Sequence, residues 1–268
     1  MKLLNGSELA GFIKERQGHQ VRALVQAAHI TPKLAIIVCT DNPVIATYVA
    51  LKQRYGADIG IEVEVHNIKQ TEALQLIDAL NNNPQVHGII VQLPLEDISQ
   101  TDEIVNAVAP NKDVDALGKD AIYDPATPMA IMWLLAGYNI NLQGKAVTIV
   151  GHGRLVGKPL KAMLDKSDIP AQILNGKEKD PQDILQHSQI IITAVGKPGL
   201  INSSMIPLDA VVIDAAVASE NGELKGDLDD DVYERNDITI TPRKGGVGPL
   251  TVVALFDNVI RAAQGSNK

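Results

Sequence analysis

Two rhythms of apolar and polar positions alternate along the chain. Continuous apolar runs of four to eight residues recur: KLAIIVCT (33–40), VHGIIVQL (86–93), KAVTIVG (145–151), AQIL (171–174), IIITAV (190–195) and AVVIDAAV (210–217). Such runs are the mark of parallel strands buried on both faces, and IEVEVHNI (61–68) adds a further strand. Between them lie helical segments. One runs from an N-cap at Ser7 to about Ala28, another carries Tyr48 and Lys52, a third covers TEALQLIDALNNN (71–83), and TDEIVNAVA (101–109) stops at Pro110. Further helices are expected from Thr127 to Gly137, from the glycine turn after residue 151 to about Lys166, and from about Pro249 to Ala263. Strand and helix in alternation predict an α/β fold: two lobes of parallel-sheet, three-layer architecture, the second a Rossmann-like lobe. The irregular stretch 110–128, rich in Pro, Asp and Gly, is the expected crossing between lobes. The expected division is residues 1–120 plus the C-terminal helix 249–268, against 121–248.

Composition narrows the function classes. A chain of 268 residues, 45% apolar and 21% charged, suits two small soluble domains, and no apolar run approaches the roughly 18 residues of a membrane helix. The start, MKLLNGSELAGF, lacks the build of a secretory signal, so a cytoplasmic protein is expected. A formal charge of −8 with 3% aromatic residues argues against nucleic acid as a partner. The single cysteine, Cys39, sits in an apolar run and reads as a buried strand residue; no disulfide, zinc framework or other metal site is expected.

In GHGRLVG, Gly151, Gly153 and Gly157 end a strand and open a helix. Glycines there allow a tight turn and bring backbone N–H groups to a pyrophosphate at the positive helix end; a purely structural turn is the bland reading. The next strand ends in Leu174, Asn175, Gly176 and Lys177, with no acid at its tip for ribose hydroxyls. His152, Arg154, Lys177 and Lys179 could meet a 2′-phosphate, which favours NADP over NAD, or could be solvated surface. Tyr48 and Lys52, four apart, share one helix face, where an isolated lysine is ordinary surface. The same Tyr-x-x-x-Lys spacing in short-chain dehydrogenases follows the glycine turn; here it precedes it, which excludes that class. Gln92 ends a strand whose carboxyl end faces the crevice where open α/β sheets bind ligands. Asp113 and Asp115 alternate in a loop, as turn formers or as acceptors for a ligand's amino and ring N–H groups. GGVGP (245–249) before the last helix is either a ligand wall or a packing turn.

Taken together, TYVALK, IIVQLPL, NKDVDALG, PATP, GHGRLVGKP, ITAVGKP, KGD and TPRKGGVGPLT resemble, in order and spacing, the methylenetetrahydrofolate dehydrogenase/cyclohydrolase family over nearly the whole chain. The resemblance implies a homodimer of two-lobed subunits, folate in the cleft and NADP on the second lobe, with NAD as the other candidate. It implies oxidation of 5,10-methylenetetrahydrofolate and hydrolysis of the methenyl product to 10-formyltetrahydrofolate. By matching position, Lys52 is the catalytic lysine, Tyr48 packs beside the folate, Gln92 tunes the lysine and Asp115 holds the pterin. Gly245, Gly246 and Pro249 complete the substrate contacts, while Gly151, His152, Gly153, Arg154, Val156, Gly157, Asn175, Ala194, Val195 and Gly196 form the cofactor set. Departures from the family pattern are Ile45 for a serine, Ala116 for a glycine, Ala126 for a cysteine, His152–Gly153 for Arg-Ser, Asn175–Gly176 for His-Ser, and the added Arg243 and Lys244. The alternatives are a paralogue with one activity or with NAD, a non-catalytic folate- or nucleotide-binding relative, and an α/β dehydrogenase of another small molecule.

Overall fold

The structure, a computed structural model, describes residues 1–216, 218–220 and 223–265. Its strands are β1 (Lys2–Leu3), β2 (Lys33–Val38), β3 (Glu62–Asn67), β4 (Gly88–Val91), β5 (Val147–Val150), β6 (Ala171–Leu174), β7 (Ile190–Thr193), β8 (Val211–Asp214), β9 (Ala218–Glu220), β10 (Glu223–Lys225) and β11 (Thr239–Ile240). Its α-helices are α1 (Gly6–Ala23), α2 (Pro43–Ile59), α3 (Ala73–Asn82), α4 (Thr101–Asn106), α5 (Ala126–Gly137), α6 (Gly157–Lys166), α7 (Pro181–Gln186) and α8 (Val247–Gly265). Among the described residues no helix is long and apolar enough to cross a membrane.

The chain divides into two compact units, Met1–Ala10 with Thr127–Thr251 and Gly11–Ala126 with Val252–Lys268. The middle boundary falls inside the expected crossing. The first ten residues do not: they were expected with the Lys52 lobe and belong to the other unit. There β1 pairs in parallel with β11, and the amides of Lys2 and Leu4 donate to the carbonyls of Ile238 and Ile240 at 3.0 and 2.8 Å. A two-residue strand has too few positions for a period to show.

In the unit containing Lys52, β2 is central, with β3 on one side and β4 on the other, all parallel. Leu34, Ala35, Ile36 and Ile37 are fully buried, which is why that run is apolar at every position. One face of the sheet packs Ala35, Ile37 and Ile89 against Ile77 of α3 and Ile104 of α4, with Cys39 in the same core. On the other face, Gly56 of α2 lies so close to β3 and α8 that a Cβ there would stand 2.4 Å from a Val63 methyl and 3.2 Å from the Phe256 ring. Buried Gln17 ties α1 to both neighbours: its Oε1 accepts from the Tyr55 hydroxyl at 2.7 Å, and its Nε2 donates to the Val253 carbonyl at 2.9 Å. A buried amide satisfied at both ends avoids the cost of an unpaired polar group.

The second unit holds a six-stranded parallel sheet in the order β1-β11-β8-β7-β5-β6. One face buries Val150, Ile191 and Val212 with Leu185 of α7, while α6 turns Leu160 and Leu164 inward. From β5 the chain goes through α6 to β6 on one side, then returns through α7 to β7 on the other. The carboxyl end of β5 is therefore a switch point, where open parallel sheets leave a crevice.

Helix caps correct one expectation. Ser7 was expected to cap α1, but its backbone amide donates to the Gly245 carbonyl at 3.0 Å, and the cap is Asn5, whose Oδ1 accepts from the Glu8 amide at 3.2 Å. Asn42 caps α2 by accepting from the Val44 amide at 2.9 Å, ahead of Pro43 at the first helical position.

Candidate active site

Ile45, Val49 and Gly56 anchor α2 by its buried side, leaving Tyr48 and Lys52 half-buried on an adjoining face one turn apart. Gln92 follows β4 and extends its ladder, since its amide donates to the Ile37 carbonyl at 2.9 Å. The Lys52 ammonium donates to Gln92 Oε1 at 2.7 Å, and Gln92 Nε2 donates to the Leu93 carbonyl at 3.1 Å. That second bond orients the amide, because only its NH2 can face a carbonyl, so the oxygen is presented to the lysine. Burial pulls the Lys52 pKa below the ordinary lysine range, with the Asp115 carboxylate opposing. Burial likewise raises the carboxyl of Asp115, against the pull of Lys52. The Tyr48 phenol is pushed up by burial and stays protonated. Sheet and helix thus bring Lys52, Gln92 and Asp115 into one electrostatic group.

Asp113 and Asp115, which sequence alone treats alike, part company here. Asp113 is buried at 4% exposure and caps its own loop, accepting from the amides of Gly118 at 2.8 Å and Leu117 at 3.3 Å. It is the turn former, while Asp115 acts on Lys52 through its charge.

The glycine turn of the other unit begins at Gly151, whose φ of +100° lies in the left-handed region that only glycine takes easily. A Cβ at Gly157 would lie 2.0 Å from the Gly151 carbonyl oxygen, so the first turn of α6 fits only as glycine. Gly153 has nothing within 4 Å of its Cβ position, and residues 152–155 are exposed. A glycine-lined strand end with open backbone before a helix of ten residues suits a dinucleotide pyrophosphate. Ala194, Val195 and Gly196 follow β7 beside this turn, and a Cβ on Gly151 would meet the Ala194 carbonyl at 2.9 Å.

Two residues given no role by the sequence reading shape this region. Asp227, fully buried, accepts from the amides of Val195, Gly196 and Lys197 at 2.8, 2.8 and 2.7 Å and from the Thr193 hydroxyl, fixing the loop. Its signal was the KGD triplet, whose acid follows a glycine. Glu178 overturns the expectation of an acid-free tip on β6. The chain reverses at Gly176 (φ +85°), and the Glu178 carboxylate folds back to accept from the amides of Asn175 at 3.0 Å and Gly176 at 2.9 Å. His152, Arg154, Asn175, Lys177 and Lys179 are all exposed, and Val156 is half-buried just before α6.

The glycine loop before α8 lies against the start of α1. The Gly245 Cβ position lies 2.7 Å from Ser7 Oγ, and a side chain on Gly6 would strike the Gly246 carbonyl, so the two turns require each other's glycines. Pro249 is the third residue of α8. Arg243 is engaged by Asp230 and stacks over the Tyr233 ring at 4.0 Å, while Lys244 is exposed.

Two domain descriptions match the chain: tetrahydrofolate dehydrogenase/cyclohydrolase, catalytic domain, over residues 4–115, and tetrahydrofolate dehydrogenase/cyclohydrolase, NAD(P)-binding domain, over residues 125–267. The chain belongs to the tetrahydrofolate dehydrogenase/cyclohydrolase family. It is 37% identical to the bifunctional protein FolD of Oceanobacillus iheyensis over 280 aligned residues, covering 99% of this chain and 98% of the relative. The crystal structure of the FolD methylenetetrahydrofolate dehydrogenase/cyclohydrolase of Campylobacter jejuni superposes with a TM-score of 0.92 at 33% identity, covering 99% of both chains. The Trypanosoma brucei methylenetetrahydrofolate dehydrogenase-cyclohydrolase, solved with NADP cofactor and an inhibitor, gives a TM-score of 0.90 at 27% identity, covering 99% of this chain and 98% of that one.

Within this tetrahydrofolate dehydrogenase/cyclohydrolase member, two departures have a structural reading. Ile45 is buried at 4% exposure, so it adds to the core of the Lys52 unit. Ala116, directly after Asp115, has φ of +55°, a conformation in which an alanine Cβ crowds its own carbonyl. Replacing Ala116 by Gly is expected to raise stability by about 0.5–1 kcal/mol, read as an upward shift of the denaturation midpoint with unchanged slope. A lower midpoint would show that the loop does not carry this strain.

Proposed function

We propose that the protein is a bifunctional enzyme of one-carbon metabolism, oxidising 5,10-methylenetetrahydrofolate to the 5,10-methenyl form with NADP and hydrolysing that product to 10-formyltetrahydrofolate. The Lys52–Gln92 contact carries the reading: a lysine with lowered pKa, held by a neutral partner on the domain matched as catalytic. A charged carboxylate in place of Gln92 would oppose that lowering strongly; an amide, carrying no net charge, accepts the bond with much less opposition. In this reading the unit of Lys52 binds the folate and the unit of Gly151 binds the dinucleotide, in a cytoplasmic homodimer.

NADP, when bound, supplies the hydride acceptor, and the chain's task in that step is positioning, through the glycine turn and the Asp227-held loop. Asp115 accepts hydrogen bonds from the pterin's amino and ring N–H groups, and Tyr48 packs its ring beside the folate. In the hydrolytic step neutral Lys52 takes a proton from the water attacking the methenyl carbon. The adduct then breaks its bond to N5, which receives that proton from Lys52; the second water proton is released as the formyl group forms on N10.

The test is the absorbance of the methenyl product after mixing purified protein with methylenetetrahydrofolate and NADP or NAD. Formation with NADP is expected. Folate binding without formation under either cofactor would sink the proposal.

A further inference from the structure

The tip of β6 stands beside the glycine turn, since the Gly151 amide donates to the carbonyl of Leu174, the last residue of that strand, at 2.8 Å. In a dinucleotide-binding sheet the residues past this strand meet the adenosine ribose: an acid there takes the hydroxyls, and free donors or cations take a 2′-phosphate. Here the backbone donors at the tip are already in use. The two oxygens of Glu178 are spent on separate amides, Oε1 on Asn175 and Oε2 on Gly176, while the Lys177 amide donates to Asn175 Oδ1 at 3.3 Å. The backbone N–H groups of the loop, that of Asn175 foremost, hold the Glu178 carboxyl below its usual range, so it is an anion at neutral pH.

We infer that Glu178 is a specificity-determining residue of the cofactor site, an internal anion occupying the amides that an adenosine 2′-phosphate would use and thereby narrowing the preference for NADP over NAD. The inference rests on the reading of this unit as the dinucleotide-binding one. A phosphate brought to this tip must displace the carboxylate from its two amides and then lie near it, two like charges in competition for the same donors. A cofactor with a free 2′-hydroxyl meets neither obstacle. Arg154, Lys177 and Lys179, all exposed, supply positive charge in the glycine turn and past the tip, which keeps NADP binding feasible and leaves Glu178 to set its margin.

The experiment is calorimetric titration of the full-length protein, without folate, with NADP, NAD, 2′,5′-ADP and 5′-AMP, in the wild type, Glu178→Gln and Glu178→Ala. Gln keeps an acceptor without the charge, Ala empties the loop, and thermal melting of each variant checks that it is folded. NADP and 2′,5′-ADP are expected to bind about tenfold or more tighter in both variants, with NAD and 5′-AMP changed less than about twofold. Unchanged or weaker NADP binding in both folded variants would overturn the inference while leaving the cofactor site intact. Loss of NAD affinity in both would overturn it too, by making Glu178 an acceptor for ribose hydroxyls. Absence of binding of either dinucleotide by folded wild type would instead remove the cofactor-site reading, and the inference with it.

Discussion

Replacing Lys52 by Met is expected to lower the rate of methenyltetrahydrofolate hydrolysis by about a hundredfold or more, the scale of a lost proton-transfer group, while the protein melts within about 2–4 °C of the wild type. Met follows the path of the lysine stem and fills similar volume, so packing around α2 is kept. The ammonium it removes is partly desolvated, as its lowered pKa records. The sign of the pH dependence follows. In the proposed mechanism hydrolysis needs neutral Lys52, so in the wild type the rate is expected to rise with pH on a limb centred below 10.5, the ordinary lysine value, and in the variant that limb is expected to be gone. Stability shows the same group from the other side. Between its folded pKa and 10.5 the unfolded chain binds more protons at this residue than the folded one, so folding stability rises with pH across that window. The Met variant loses this rise. Full hydrolytic activity in a folded Lys52→Met protein would end the assignment.

Replacing Gly157 by Ala is expected to cost about 2–4 kcal/mol of stability, or a melting temperature lower by about 5–15 °C, and to abolish dinucleotide binding. The added Cβ would sit 2.0 Å from the Gly151 carbonyl oxygen and 2.8 Å from its carbon, both backbone atoms without a rotamer to escape into. Relief requires α6 to move off the end of β5, which dismantles the turn proposed to bring amides to the pyrophosphate. Gly153→Ala is the control, since its Cβ meets no atom within 4 Å and its melting temperature is expected to stay at the wild-type value. Equal melting of the Gly157 and Gly153 variants would show that the helix accommodates the side chain.

Much of this was legible before the structure because it rests on local rules. The buried strands β2, β4, β5 and β7 declare themselves as runs apolar at nearly every position, since a parallel strand covered on both faces keeps a polar side chain only where it is hydrogen-bonded, as Thr148 is to Ser188 and Thr193 to Asp227. Lys52 and Gln92 could be nominated by their place on a helix face and after a strand, and the family's motifs, spread across both units, made the nomination specific.

What the sequence by itself determined is the alternation of elements, the buried strands, the family and the residue types available for chemistry, because these follow from period, composition and the spacing of motifs. Only the tertiary structure decided that Asp113 caps its own loop, that the charge of Asp115 acts on Lys52, and that Met1–Ala10 belong with Thr127–Thr251. It alone decided that Glu178 reaches back to the tip of β6 and that Asp227 ties down residues 195–197 from 30 or more residues away. The physical reason is common to all of these. A carboxylate's partner is set by where the chain reverses and by contacts distant in sequence, and neither a period nor a composition records such a meeting.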